Sequence, residues 1–371
     1  MASSIFLSLS VFKQIDLIQM NDISKTLQEK IIDTHANKTA LQIAGGNSKD
    51  FYGRTPRGKK LDVSGHTGIL NYEPTELVIT ARAGTPLSEI EKVLAENNQM
   101  LPFEPPHFGE AATLGGTIAC NFSGSRRPYS GAARDFVLGI KLLNGRGEIL
   151  RFGGEVMKNV AGYDVSRLMA GTLGTLGVLL EISLKVLPCN EKETTLVKEL
   201  DEQSAIDTIV RCSAKSIPLS ASLYDGNHLY LRLCGTPNSV AKAKQKIGGD
   251  EFDDGHSFWH KINEHTHPFF NSPHPLWRLS LAPCTPPLEI KGKLLLDWGG
   301  AQRWLLSTEP EDKIRSVIQT TGGHAVCFRN GDRQQQVFQP LQPKMLALHQ
   351  NLKKAFDPNN IFNPGRMYKE F

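Results

Sequence analysis

Glycines, hydroxyls and amides recur in this chain in patterns able to hold an anionic ligand by its backbone. Gly45-Gly46-Asn47-Ser48 follows directly on the short apolar run Ala40 to Ala44. A second cluster, from Thr113 and Leu114 through Gly115, Gly116 and Ala119 to Ser123 and Gly124, combines paired glycines with small and hydroxylated residues. Glycine lets main-chain N–H groups approach a diphosphate closely, and hydroxyls and amides add donors. Either cluster alone reads equally well as a tight turn. Two of them, with Gly171, Gly174 and Gly177 leading into the β-rich run at Val178, make a divided diphosphate cradle the better reading.

Other motifs fail on closer reading. Gly53 to Lys60 nearly spells a P-loop, but Lys60 stands where the hydroxyl should be, Pro56 lies inside, and no apolar helix follows. The Gly171–Gly177 segment lacks dinucleotide-fingerprint spacing and precedes a strand rather than a helix. His256, His260, His265, His267 and His274 cluster, yet there is no H-E-x-x-H, no cysteine pair, and Pro268, Pro273 and Pro275 interrupt them. A proline-rich loop carrying packed or solvated histidines is the reading, and no metal site is predicted.

These loops need elements to position them. Leu27 to Ile32 has helical spacing, with Asp22 or Ser24 as its cap. Strands are predicted at Ala40–Ala44, Leu61–Val63 and Glu76–Ala81, and a helix over Leu87–Glu96 with Pro86 as its first residue. Asp135–Leu143 and Glu148–Phe152 flank Asn144-Gly145-Arg146-Gly147, a hairpin signal. After Val178–Leu187, glycine density falls. Strands then recur near Thr195, Leu219, Leu229, Leu279, Leu294 and Trp304, with helices from Gln203, over Asn238–Ile247 and over Lys344–Phe356. This argues α+β with a boundary near residue 190: an N-terminal extension 1–20, a first domain 21–189 and a second 190–371.

Composition fits a two-domain globular protein of 371 residues with a net charge of only +4 over 42 basic and 38 acidic residues. That balance excludes a nucleic-acid footprint, and no apolar run is long enough for a membrane span. The six scattered cysteines read as free thiols of a reducing compartment. The first residues lack a basic signal-peptide region, and Ser8, Ser10, Lys13 and Asp16 break the apolar stretch. Met20 offers a second start besides Met1. Cytoplasmic is the expected location.

With these residues in view, Leu41 to Pro188 resembles the FAD-binding domain of the vanillyl-alcohol oxidase and p-cresol methylhydroxylase superfamily. Gly45–Ser48 and Thr113–Gly124 match its two diphosphate loops, Tyr129–Asp135 its Y-G-x-x-R-D segment, and Gly171–Val178 its G-[ST]-x-G-T-L-G-[VI] turn. Narrower similarity, over roughly residues 21 to 371, is to the GlcE-type FAD-binding subunits of bacterial glycolate oxidase. It rests on Leu61–His66, Tyr72–Leu77, Phe103–Phe108, His267–Phe270, Leu276–Ser280, Gly322–Ala325 and the tail Phe356–Arg366.

The resemblance implies an α+β fold: a two-lobed PCMH-type FAD-binding domain plus a C-terminal α+β domain with an antiparallel sheet. The cofactor implied is FAD, bound by Gly45, Gly46, Asn47, Ser48, Thr113, Leu114, Gly115, Gly116, Ala119, Ser123, Gly124, Gly174, Gly177 and Val178. With Asn47 in the first loop and no histidine there, the flavin is expected to be noncovalent. Glycolate or another small 2-hydroxy acid is the substrate implied, with Arg278 a candidate carboxylate partner and His324 a candidate base. The chain lacks the H-G-[DE]-G-N-x-H segment of catalytic 2-hydroxy-acid dehydrogenases and any cysteine spacing for an iron–sulfur cluster. It is therefore expected to act beside a sister FAD subunit and an iron–sulfur subunit, reaching the inner membrane face only through them. Alternatives are a self-sufficient dehydrogenase of another small 2-hydroxy acid such as D-lactate, or a scaffold that has lost FAD.

Overall fold

The computed structural model describes residues 21–154 and 163–371; the expected N-terminal extension lies outside the described residues. Helix α1 (Ser24–Asn37) buries Leu27 and Ile31 against β1 (Leu41–Ala44), which pairs in parallel with β2 (Lys59–Asp62). No side chain caps α1; Asp22 instead accepts from the Ser24 N–H at 2.9 Å in a local turn. Next come β3 (Ile69–Glu73), β4 (Val78–Arg82) and α2 (Leu87–Ala95), whose Leu87, Ile90 and Leu94 form one buried stripe. Pro86 lies one residue before that helix rather than inside it. The short helix α3 (Leu114–Cys120) carries the second glycine cluster and is capped by Thr113, whose hydroxyl accepts from the Gly116 N–H.

The hairpin forms as β5 (Val137–Leu143) and β6 (Ile149–Gly153). Its turn is held by the Asn144 carboxamide, which accepts from the Arg146 and Glu148 N–H groups. With β7 (Val178–Lys185) the first sheet has the order β3-β4-β7-β5-β6, all antiparallel, and α2 and α3 pack on it.

The second sheet begins at β8 (Lys192–Glu199), four residues beyond Pro188. Helix α4 (Glu202–Ser213), β9 (Leu219–Tyr224), β10 (His228–Gly235), α5 (Pro237–Ile247) and β11 (Asp250–Glu251) follow. Then come α6 (Gly255–Asn263), β12 (Leu276–Ser280), β13 (Lys293–Asp297), β14 (Gln302–Leu306), α7 (Glu311–Thr320), β15 (His324–Arg329) and α8 (Pro343–Phe356). Strand order is β11-β8-β10-β9-β13-β14-β12-β15.

Two helices of the second half depart from the sequence reading. The histidine-bearing stretch begins as a helix, α6, because Phe258, Trp259 and Ile262 share a buried face that outweighs the nearby prolines. Helix α7, with Ile314 and Ile318 buried, was not signalled by its predominantly polar sequence. The tail also crosses the expected boundary: Leu41 N–H donates to Ile361 O, and Asn363 N–H to Leu41 O, so the last residues lie beside β1 in the N-terminal lobe.

Candidate functional site

A cleft opens where β1, α3 and the turn before β7 meet. Its lining includes Gly45, Gly46, Asn47, Ser48, Thr113, Gly115, Gly116, Ala119, Gly174, Gly177 and Val178. The glycines make this geometry possible for two different reasons. A Cβ on Gly46 would fall 1.4 Å from the Ala111 carbonyl oxygen, and one on Gly115 2.7 Å from the Ala83 Cβ; these glycines let the two loops and β4 touch. A Cβ on Gly116 would meet only its own capping partner, Thr113 Oγ1, at 3.2 Å. Gly116 borders the cleft itself.

Three predicted residues stand elsewhere. Leu114 points into the core, 1% exposed, because it lies on the inner face of α3. Ser123 accepts from the Ala133 N–H at 3.0 Å, and a Cβ on Gly124 would lie 2.6 Å from Asn263 Oδ1. Both line a second, small cavity between the lobes. They serve the packing of the lobes rather than the glycine cleft.

Arg278 lines that second cavity too, donating to Tyr52 Oη at 2.9 Å and standing over the rings of Tyr52, Phe122 and Phe328. His324 does not join it. The register sets His324 opposite Ser280, on the face that carries Arg278, but at an exposed rim outside both cavities. Desolvation and then the Arg278 charge push its pKa below the ordinary value, so nothing there prepares it as a base at the site.

Several cleft residues escaped the sequence reading. Lys49, 6% exposed, directs Nζ to Ser48 Oγ at 3.3 Å and His107 O at 3.1 Å, and burial lowers its pKa. Arg366 forms an ion pair with Asp50 at 3.2 Å. Asn363 accepts from the Ile43 N–H and donates to Leu173 O, both at 2.7 Å, tying β1 to the Gly171–Gly177 turn. The tail motif announced Asn363 and Arg366 as family features, yet its position beside β1 is a tertiary fact. Lys49 had no signal beyond following the first loop.

The chemistry suits a dinucleotide: backbone-rich glycine loops for a diphosphate, and a buried ammonium with no carboxylate partner among the described residues. The comparisons agree. Residues 24–153 match the model described as FAD binding domain, and residues 323–367 that of FAD linked oxidases, C-terminal domain. Glycolate oxidase subunit GlcE of Escherichia coli is 49% identical over 94% of this chain and 98% of that protein. The chain belongs to the GlcE family of glycolate oxidase subunits.

FAD is its cofactor, as the family dictates, and it is an FAD-linked oxidoreductase. Other relatives match less of it. GlcD of Bacillus subtilis is 31% identical over 42% of this chain and 34% of its own length. D-lactate dehydrogenase of Anaerostipes hadrus is 33% identical over 35% of this chain and 27% of its own. The structure of p-cresol methylhydroxylase with substrate bound superposes with a TM-score of 0.69 at 16% identity, over 95% of this chain and 89% of that one, a likeness of fold. Among the described residues no helix is long and apolar enough to cross a membrane, and no three His, Cys, Asp or Glu side chains come together as a metal group.

Proposed function

We propose that this chain is the FAD-holding subunit of a heteromeric glycolate oxidase, in which glycolate becomes glyoxylate and electrons leave through an iron–sulfur partner. The observation that carries the reading is the 49% identity to GlcE over nearly the whole of both chains, together with a glycine-lined cleft matching the loops that identity predicts. Gly45–Ser48 and Gly115–Gly116 would take the diphosphate, with Lys49 supplying positive charge; Gly174, Gly177 and Val178 would border the rest. The bound flavin would supply the redox chemistry, and the protein orientation and electrostatics.

FAD is held without a covalent bond in this reading, since no histidine lines the cleft among the described residues. Acid precipitation should release the yellow colour into the supernatant; colour retained in the pellet would contradict it. A sister FAD subunit and an iron–sulfur subunit are the proposed partners, with membrane association only through them. Anaerobic mixing with glycolate tests the assignment. The FAD-loaded chain alone should show little loss of its flavin band, and the assembled complex rapid loss. Bleaching by the lone chain at a typical enzyme rate of ~1–10³ s⁻¹ would make it self-sufficient instead.

A further inference from the structure

Helix α8 is built unlike the other long helices of the fold. A helix of this length draws most of its stability from an apolar face buried against the rest of the protein. Helices α1, α2, α4, α5, α6 and α7 each bury at least two apolar side chains. In α8, 14 residues long, the one residue buried is Lys353. The helix is held by that ammonium, which donates to Asp357, and by the ring contact of Phe356 with Phe152 at 6.5 Å between centroids. Leu346 adds a partly buried contact with the aromatic cluster that contains Tyr52, Phe122 and Phe328.

A second apolar stripe runs beside the packed one. Met345, Leu348, Leu352 and Ala355 recur at spacings of three, four and three residues, which places them on one side of the helix. Met345 is 46% exposed and Leu348 50%; Leu352 is half-buried and Ala355 exposed. The charges on the open side have one sign. Lys344 and Lys354 are exposed and have no ion-pair partner among the described residues, and α8 contains no Asp or Glu. A solvated helix face gains from opposite charges one turn apart. This face offers apolar surface rimmed by ammonium groups instead.

We propose that the Met345–Ala355 stripe is a docking face for another subunit of the glycolate oxidase complex, one that lays an apolar helix edged with carboxylates against α8. The inference rests on the heteromeric reading and adds where this chain makes contact and with what chemistry. A second copy of the chain does not fit, because pairing α8 with itself sets lysines against lysines with no carboxylate to answer them. A partner of opposite sign answers both features at once: its apolar side chains cover the stripe, and its Asp or Glu side chains meet Lys344 and Lys354. Two exposed anchors one turn apart cover too little area to hold a stable complex alone, so this face is one part of a larger contact.

Co-expression of the tagged chain with its sister FAD subunit and iron–sulfur subunit tests this, assembly being read by size-exclusion chromatography with light scattering across a dilution series. The wild-type chain should assemble. Leu348→Gln should weaken assembly roughly tenfold or more, the range for losing one interface anchor, and Met345→Gln added to it should abolish assembly. The lone variants should keep the wild-type melting temperature and FAD content, because neither side chain is buried in the lone chain. Added salt should weaken wild-type assembly, and Lys344→Glu with Lys354→Glu should be most damaging at low salt. Assembly by Leu348→Gln as tight as by wild type overturns the docking face and leaves the heteromeric reading standing. A wild-type chain that assembles with neither subunit overturns both. A lone chain that dimerises, and stops doing so in Leu348→Gln, overturns the choice of partner. Flotation of the lone chain with phosphatidylglycerol vesicles, abolished by Leu348→Gln, does the same and assigns the stripe to a lipid surface. A lowered melting temperature in lone Leu348→Gln shows the stripe covered within the chain and overturns the proposal as well.

Discussion

Asp297 shows how one buried side chain sets a property of the whole protein. Its carboxyl titrates near 7 in the fold against 3.8 for the free group, so the native state holds the proton more tightly than the unfolded chain. The sign follows. Well below pH 3.8 both states are protonated and the group costs nothing; as pH rises towards 7 the unfolded chain gains by ionising, and above 7 the penalty is constant. That penalty is on the order of 4 kcal/mol. Asp297→Asn should therefore leave stability near pH 4 little changed and raise it at pH 8; urea unfolding of the FAD-saturated protein at the two values reads the difference. Equal gains at both pH values would show that Asp297 is ionised throughout. The two kinds of loop glycine separate just as cleanly. Gly116→Glu creates T-x-x-E spacing with Thr113, a capping box, so the fold should survive while side chain and negative charge enter the cleft and FAD is lost. Gly46→Val must push the loops apart and should lose both fold and FAD. Lys60→Ala, on exposed β2 beside Asp62, should lose neither; its absorption spectrum after gel filtration is the check.

At the scale of elements, the end of α8 and the tail behind it act as a clasp on the cofactor lobe. Lys353, 4% exposed, donates to Asp357 Oδ2 at 2.7 Å, Thr175 O at 2.7 Å and Phe362 O at 2.8 Å. Asp357 in turn accepts from the Ile361 and Phe362 N–H groups, which fixes the chain that pairs with β1. Asp357→Ala removes the counter-charge and both turn acceptors at once. Breaking a buried pair from one side costs about 3–5 kcal/mol. Because Thr175 and Asn363 belong to the same clasp, FAD affinity should fall with stability although Asp357 does not line the cleft. Denaturation and fluorimetric FAD titration measure the two; normal stability would mean that the clasp is unimportant.

Across the whole molecule, the lobes are joined by an ion cluster rather than by apolar contact alone. Glu104, on the loop before α3, accepts from Arg126 of its own lobe at 2.9 Å and from Arg232 of β10 at 2.8 Å, and Arg232 stands over Trp259. The two guanidinium groups overcome desolvation and hold the Glu104 pKa below its usual value, so its contribution is present above the unfolded value and is lost only on deep acidification. Glu104→Gln leaves two buried arginines short of a carboxylate and should loosen the lobes, increasing amide exchange along β10 and near the second cavity. Exchange unchanged there would assign the closure to the aromatic cluster.

What the sequence determined by itself was whatever depends on local chemistry. Glycine spacing located the three backbone segments of the cleft, because a close approach tolerates no other residue. Alternation and turn residues located most strands, because period and turn geometry are local. The tail and loops sufficed for the family. Tertiary structure alone decided which of these residues share a space. Leu114 turned inward and Ser123 and Gly124 went to the other cavity because helix phase and lobe packing, not motif membership, set direction. Lys49 and Asn363 became site residues, and Asp297 a displaced titrating group, only when burial removed water from around them and stretches distant in sequence met. Helices α6 and α7 formed for the same reason: a few apolar side chains found a sheet to cover, and that burial is invisible until the sheet exists.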